Sequence, residues 1–334
     1  MTGAMRDVSL SIVIVNWHSA DFVCAAVEAI AASASPLGVE ILVVDNASYD
    51  ECRDRLALTH PDVRFIQSST NLGFGGANNL GARHARAEVL LFLNPDTVPH
   101  PGAIATLYQH LMRTVDAGVV GGRLLNSDGS LQISCVQALP TVLNQALDLD
   151  VLRRLMPRLP LWGTQALHTP SDRPQQVDAI SGACMMLRRS TFQTVNGFSP
   201  AFFMYGEDLD LCARIAAAGG RNLYAHDAVI VHHGGGSSRQ VPGAFSIVTM
   251  CESVALLIRR LRGPGSARAY RATMSLVAGA RLGALLVAAP LWVVRSGTAR
   301  WSGACRKWWT VLRWTLGLHP RNRAVRAMAA PGRN

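Results

Sequence analysis

The chain has 334 residues, 49% of them hydrophobic and 16% charged, which is enough apolar material for one large domain or two. Its seven cysteines are scattered with no C-x-x-C pair, so neither a disulfide framework nor a zinc site is supported, and reduced thiols in a cytosolic setting are the simplest account. The net charge of +10 is uneven: from Phe245 onward there are 15 Lys and Arg against one acid, Glu252, whereas residues 1–244 carry a net of −4.

Residues 8–15 form a strand-like run that is too short, and followed too soon by Asn16-Trp17-His18, to be a secretory signal. Stretches 9–15 and 39–45 are β-branched and nearly all apolar, the pattern of strands buried in a parallel sheet. Between them, 21–32 has helical periodicity with Asp21 as an N-cap. A third strand is expected at 63–66, a helix at 77–86 and a fourth strand at 89–93. This alternation predicts an α/β fold: a Rossmann-like, mostly parallel sheet flanked by helices, with ligands at the carboxyl ends of the strands. Asp45 to Ser48 and Asn94-Pro95-Asp96 both sit at such ends.

Residues 125–177 are broken by Pro140, Pro157, Pro160, Pro170 and Pro174 and read as an acceptor-side insertion or a loop. A strand is expected at 180–187 and a helix at 190–195. A second helix, 207–218, stops at Gly219-Gly220, and a last strand, 222–231, closes on His232-His233 and a glycine run.

Two acidic clusters carry most of the chemistry. In the first, the apolar run 90–93 stops at Asn94-Pro95-Asp96. In the second, Glu207, Asp208 and Asp210 fall within four positions beside aromatics and Gly206. Crowded carboxylates repel one another unless a cation or a proton is part of the arrangement, so the two clusters are candidates for a divalent metal site and a base. Asp96 offers one carboxylate oxygen to Mg²⁺ or Mn²⁺, and the histidine pair offers a nitrogen. The loop 71–81, rich in Gly and Asn and entering a helix, suits the close approach of a phosphate. It is not a dinucleotide fingerprint, because it does not follow the first strand and Asn78 stands where the third glycine belongs. Asp45 either accepts from a base or ribose or makes an Asx-turn with Ser48.

The order of these motifs resembles the family 2 inverting glycosyltransferases of the GT-A fold, and among them rhamnosyltransferase-like enzymes of cell-surface polysaccharide synthesis. The resemblance covers residues 9–240. It rests on S-I-V-I-V-N-W from Ser11, V-V-D-N-A-S from Val43, N-L-G-F-G-G-A-N-N from Asn71 and L-N-P-D from Leu93, then S-G-A from Ser181, N-G-F from Asn196, G-E-D-L-D-L from Gly206 and V-H-H-G-G-G-S from Val231. It implies that Asn16, Asp45, Asn71, Gly73, Gly75, Asn78 and Asn94 serve the nucleotide. Asn94-Pro95-Asp96 corresponds to the family's D-x-D motif with Asn in the first place, so that Asp96 is the main metal ligand and His232 the late one, with His233 as an adjacent competitor. Asp208 matches the general base, with Glu207 beside it. Arg300-Trp301 and Arg313-Trp314 lack the upstream Gln of the processive synthases' Q-x-x-R-W motif, which favours single addition. The implied reaction moves a sugar, with dTDP-rhamnose the favoured donor, to a lipid-linked or glycan acceptor. UDP-GlcNAc or UDP-galactofuranose are the alternative donors, and a catalytically silent nucleotide-binding scaffold is the alternative function.

From Phe245 the chain falls outside the resemblance. Residues 274–294 are nearly all apolar but carry Arg281 centrally, and 306–314 are basic and Trp-rich like an interfacial helix. Two domains are expected: a catalytic one over 1–244, and a helical, membrane-associated extension over 245–334. The extension would lie on an anionic membrane surface at the cytoplasmic face of the inner membrane. Nucleic acid is not expected, because its arginines alternate with long apolar runs.

Overall fold

Apolar, β-branched runs joined by amphipathic segments bury both faces only when the strands lie side by side under helices. The computed structural model, which describes residues 8–34, 36–147, 156, 171–234, 243–290, 294 and 297–318, has this arrangement. The first half runs β1 (Leu10–Asn16), α1 (Ala20–Ala34), β2 (Val39–Asp45), α2 (Cys52–Thr59), β3 (Arg64–Gln67), α3 (Gly73–His84) and β4 (Val89–Leu93). These strands are parallel in the order β3-β2-β1-β4. Every residue of β1 and β4 is buried, as expected of strands covered on both faces. Helix α3 begins four residues before the expected start, because the glycine-rich loop itself winds into the helix.

The second half adds β5 (Thr97–Pro99), α4 (Ala103–Arg113), β6 (Ala117–Leu125), β7 (Val136–Gln137), α5 (Val142–Ala146), β8 (Gln175–Gln176), β9 (Ala179–Ile180), β10 (Cys184–Arg188), α6 (Arg189–Thr194), α7 (Glu207–Ala217) and β11 (Arg221–His232). The sheet continues β4-β10-β6-β11-β5, with β8 beside β11, and β10 runs antiparallel to both its neighbours. The strand expected at 180–187 is split: β9 pairs with β7, and a turn at Gly182-Ala183 leads into β10. Much of the expected loop 125–177, namely 148–155 and 157–170, lies outside the described residues, as do Gly235 to Ser238 of the glycine run and 291–293 of the apolar stretch.

The C-terminal region is helical, as α8 (Gly243–Val287) and α9 (Thr298–Thr315). Helix α8 breaks at Gly263 (φ 83°, ψ 170°), immediately before Pro264, which removes a backbone donor from the next turn. The break folds the chain back on itself. Val248, Cys251, Val254 and Ile258 before it pack with Tyr270, Met274 and Ala278 after it and with Val311 and Trp314 of α9 in a second apolar core. The central Arg281 places its guanidinium 4.1 Å from the Trp308 ring centre. No helix among the described residues is long and apolar enough to cross a membrane.

Candidate active site

The register of β1 against β2 sets Asn16 beside Asp45. The Asn16 amide donates to Asp45 Oδ1 (2.7 Å) and Asp50 Oδ1 (2.9 Å), and its oxygen accepts from Ser19. Asp45 also accepts from the Ser48 and Tyr49 amides (3.0 and 3.2 Å), the Ser48 hydroxyl and Gln67 Nε2 (2.6 Å). Both side chains are buried and engaged with protein groups, and neither lines the main cleft. The neighbouring Asn46 does line it. Its amide nitrogen donates to Asn71 Oδ1 (2.9 Å) and its oxygen accepts from the Leu72 amide (2.7 Å), which fixes the loop before α3 to the end of β2.

The glycines of α3 serve packing. Gly73 has φ +72°, and a Cβ there would stand 2.1 Å from the Phe203 carbonyl oxygen; at Gly75 it would stand 2.9 Å from Phe198 Cβ. Asn79 holds the Phe198 backbone in both directions, accepting from its N–H (2.9 Å) and donating to its carbonyl (2.8 Å), so the Asn71 and Asn196 motifs are two halves of one contact. Asn78 is buried and donates to the Phe74 carbonyl (3.0 Å), inside its own helix. Of this loop, Asn71 and Gly73 border the cleft, whereas Gly75 and Asn78 do not.

At the end of β4, Asn94, Pro95 and Asp96 face the end of β11. His232 Nε2 lies 3.2 Å from Asp96 Oδ1 and 3.3 Å from Asn94 Nδ2, while its Nδ1 is 2.6 Å from Gln132 Oε1. The Gln132 amide nitrogen is directed to Asn126 Oδ1 (3.1 Å), so the Gln132 oxygen accepts the ring N–H and leaves the Nε2 lone pair towards Asp96. A carboxylate oxygen and an imidazole lone pair 3.2 Å apart are the separation of two neighbouring ligands on one cation, and Asn94 Oδ1 beside them is buried with no hydrogen-bond partner among the described residues. His233 is turned away, with Nδ1 2.9 Å from Ser127 Oγ and its ring against Phe22. Among the described residues no group of three or more His, Cys, Asp or Glu converges on one point, so a cation here would take its remaining ligands from substrate and water.

Gly206, at φ +79°, turns the chain into α7 and sets Glu207 and Asp208 at the helix start, where backbone N–H groups favour negative charge. Asp208 Oδ2 accepts from the Gly182 amide (2.9 Å) and from Gln137 Nε2 (3.3 Å). A Cβ at Gly182 would lie 3.3 Å from that of Asp208, so the turn between β9 and β10 passes tightly against this carboxylate. Burial raises the Asp208 carboxyl above the usual range, opposed by the Gly182 N–H. Glu207 is pushed up to about 8, by burial first and then by the Asp208 charge, and its Oε2 has no hydrogen-bond partner among the described residues. Asp210 is directed away from the cleft, to Arg214 Nε (2.7 Å) and Arg260 of α8 (2.6 Å).

These elements enclose a cleft of about 330 Å³ that contains Asn71, Gly73, Asn94, Asp96, Glu207, Asp208 and His232 together. Residues that sequence reasoning missed also border it: Asn46, Gln137 and, from α8, Met250, Val254 and Leu257. The wall from α8 lies beyond the expected domain boundary at 244/245, so the start of the C-terminal region is part of this site.

The family model described as glycosyl transferase family 2 matches residues 11–195, and one described as the N-terminal domain of galactosyltransferase matches 166–233. Over 220 residues the chain is 34% identical to N-acetylglucosaminyl-diphospho-decaprenol L-rhamnosyltransferase of Mycobacterium tuberculosis, covering 62% of this chain and 70% of that one. It is 27% identical over 170 residues to rhamnosyltransferase WbbL of Escherichia coli, covering 48% of this chain and 61% of that one. Among solved structures, a mannosyltransferase of Pyrobaculum calidifontis in complex with GDP-Man and Mn²⁺ shares the fold with a TM-score of 0.54 at 16% identity, covering 92% of this chain and 86% of that one.

Proposed function

The chain belongs to glycosyl transferase family 2, and from that premise we propose that it adds a single sugar, with inversion, from a nucleoside diphosphate sugar to a hydroxyl of a lipid-linked or polysaccharide acceptor in cell-surface glycan synthesis. The observation that carries this reading is the Asp208 carboxylate, held by the Gly182 amide at 2.9 Å in the cleft it shares with Asn94, Asp96 and His232. Asp208 takes the proton of the acceptor hydroxyl as that oxygen bonds to the anomeric carbon. The bond from that carbon to the diphosphate breaks on the opposite face, and its electron pair leaves with the diphosphate. Asp96 and His232 are the residues that would hold Mg²⁺ or Mn²⁺, which when bound supplies positive charge to the departing diphosphate. Asn94, whose oxygen has no hydrogen-bond partner among the described residues, and Asn71 line the donor side. The rhamnosyltransferase relatives favour dTDP-rhamnose over UDP-GlcNAc or UDP-galactofuranose, and a thermal-shift screen of the three with Mn²⁺ separates them. The basic, apolar C-terminal helices support peripheral attachment to an anionic membrane at its cytoplasmic face.

Asp208→Asn tests the assignment. Transfer should fall by about 10²- to 10⁴-fold while donor affinity stays within about twofold, because a base acts on the acceptor in the transition state. Near-normal turnover in that variant moves the base elsewhere.

A further inference from the structure

The cleft has two kinds of lining: a polar set, with Asn71, Asn94, Asp96 and His232, and an apolar set from α8. The Asn94 amide donates to the Ala183 carbonyl (2.9 Å) and the Gly182 amide to Asp208 (2.9 Å), so the base stands next in line on the far side of the Gly182-Ala183 turn. Ser253 of α8 donates to the carbonyl of Met204, a lining residue (3.1 Å), which ties α8 to the cleft. There Met250, Val254 and Leu257, spaced by four and three residues, present one face of α8 to the cleft. Leu257 and Val254 are buried, whereas Met250 is 44% exposed at the mouth. Arg260 fixes this helix to the element that carries the base, binding Asp210 (2.6 Å) and Ser199 (3.1 Å) with its guanidinium 5.1 Å from the Phe202 ring centre.

A nucleoside diphosphate sugar is polar over most of its length, and the single methyl of a deoxy sugar does not account for the apolar lining that Met250, Val254 and Leu257 give the cleft. We propose that the Met250-Val254-Leu257 wall is a subsite for the hydrocarbon chain of a lipid-linked acceptor, seating the first isoprene units while the sugar at their head meets Asp208. This rests on the transferase reading with Asp208 as base. Past the break at Gly263 the returning segment of α8 carries Leu276, Leu286 and Val287, which stand exposed and add apolar surface to the C-terminal region. Met250 suits the mouth of such a groove, because an unbranched thioether adapts to a flexible chain.

Calorimetric titration of the full-length protein with two soluble probes, N-acetylglucosaminyl diphosphate esterified with farnesol or with methanol, needs no turnover. The farnesyl ester should bind at least about tenfold tighter, as expected for burial of several methylene groups. Met250→Ser, at a half-exposed position that tolerates the change, should weaken the farnesyl ester about fivefold and leave the methyl ester unaltered. Leu276→Ser, outside the cleft, should change neither. Equal affinity for the two esters, or a Met250→Ser effect common to both, overturns the subsite. Turnover on the same esters reports separately: tight farnesyl binding without transfer would defeat the transferase reading and leave the subsite standing, whereas equal binding with brisk transfer would do the reverse.

Discussion

At Gln132 the amide nitrogen is taken by Asn126, which leaves the oxygen to receive the His232 Nδ1 proton and to aim Nε2 at Asp96. Partners of this kind typically change metal affinity 10- to 100-fold, so Gln132→Ala should weaken Mn²⁺ binding by about tenfold, read by electron paramagnetic resonance of the free ion. Unchanged affinity would remove His232 from the ligand set. At Glu207 the prediction concerns pH. Its folded value, raised from 4.5 to about 8, means that the fold holds a proton the unfolded chain has lost. Its contribution to stability is therefore complete below pH about 4.5 and is lost as pH rises to about 8. Melting curves in EDTA should show the wild type losing ground to Glu207→Gln over that window and running parallel above it. Curves that stay parallel throughout would show that the carboxyl ionises normally in the fold. Asp96, Asp208 and His232, which the fold brings to one cleft, stood out in the sequence because titratable groups at a strand end or helix start differ from their apolar neighbours. Gln132, Gln137 and Asn46 were not, since each is an ordinary polar residue until the sheet brings distant segments together. Asp45 was expected at its strand end, and the register there turns it towards Asn16.

At the scale of elements, β1, β2 and β4 were readable because burial leaves apolar runs interrupted only at Ser11 and Glu40 before their polar ends. The glycine-rich stretch was harder, because glycine permits close approach without saying to what. Here most of the approach is to protein. Gly81 shows it well: a Cβ there would stand 2.4 Å from Val13 Cγ1 in the core of β1. Gly81→Ala gains helix propensity yet overpacks a rigid site, and a net loss of about 1–3 kcal/mol is expected from urea unfolding. A stabilised variant would mean that α3 can lift off the sheet. The first half of α8 reads from its sequence as tail for a related reason. A stripe at spacing four and three is an ordinary amphipathic face, and only the packing of Ser253 and Arg260 reveals that the stripe borders the cleft.

For the whole molecule the governing feature is the split in charge between a slightly acidic body and a strongly basic C-terminal quarter. Polybasic attraction is worth about 1 kcal/mol per Lys or Arg near an anionic surface. It is screened by salt, to a range of about 3 Å at 1 M. The exposed Trp309, Leu316 and Leu318 add a contribution that salt does not weaken. High salt should therefore release the full-length protein from anionic vesicles only in part, as measured by sedimentation. Complete release would reduce the attachment to charge alone, and no binding at all would leave the apolar face for another partner. Removing everything after 243 is no clean test, because it also takes away one wall of the cleft.

The break at Gly263 makes a corner in a stiff bracket. From its start at Gly243 to that corner, α8 is an unbroken rod of about 30 Å at 1.5 Å per residue, and it carries the cleft wall on its way. The rod is bolted through Arg260 to the helix on which Asp208 sits. If the segments beyond the corner rest on a bilayer, the height of Asp208 above that plane is fixed by the fold. Such an enzyme would act as a ruler: it would reach a hydroxyl at one distance from the lipid and, having added a sugar there, find the next one out of range.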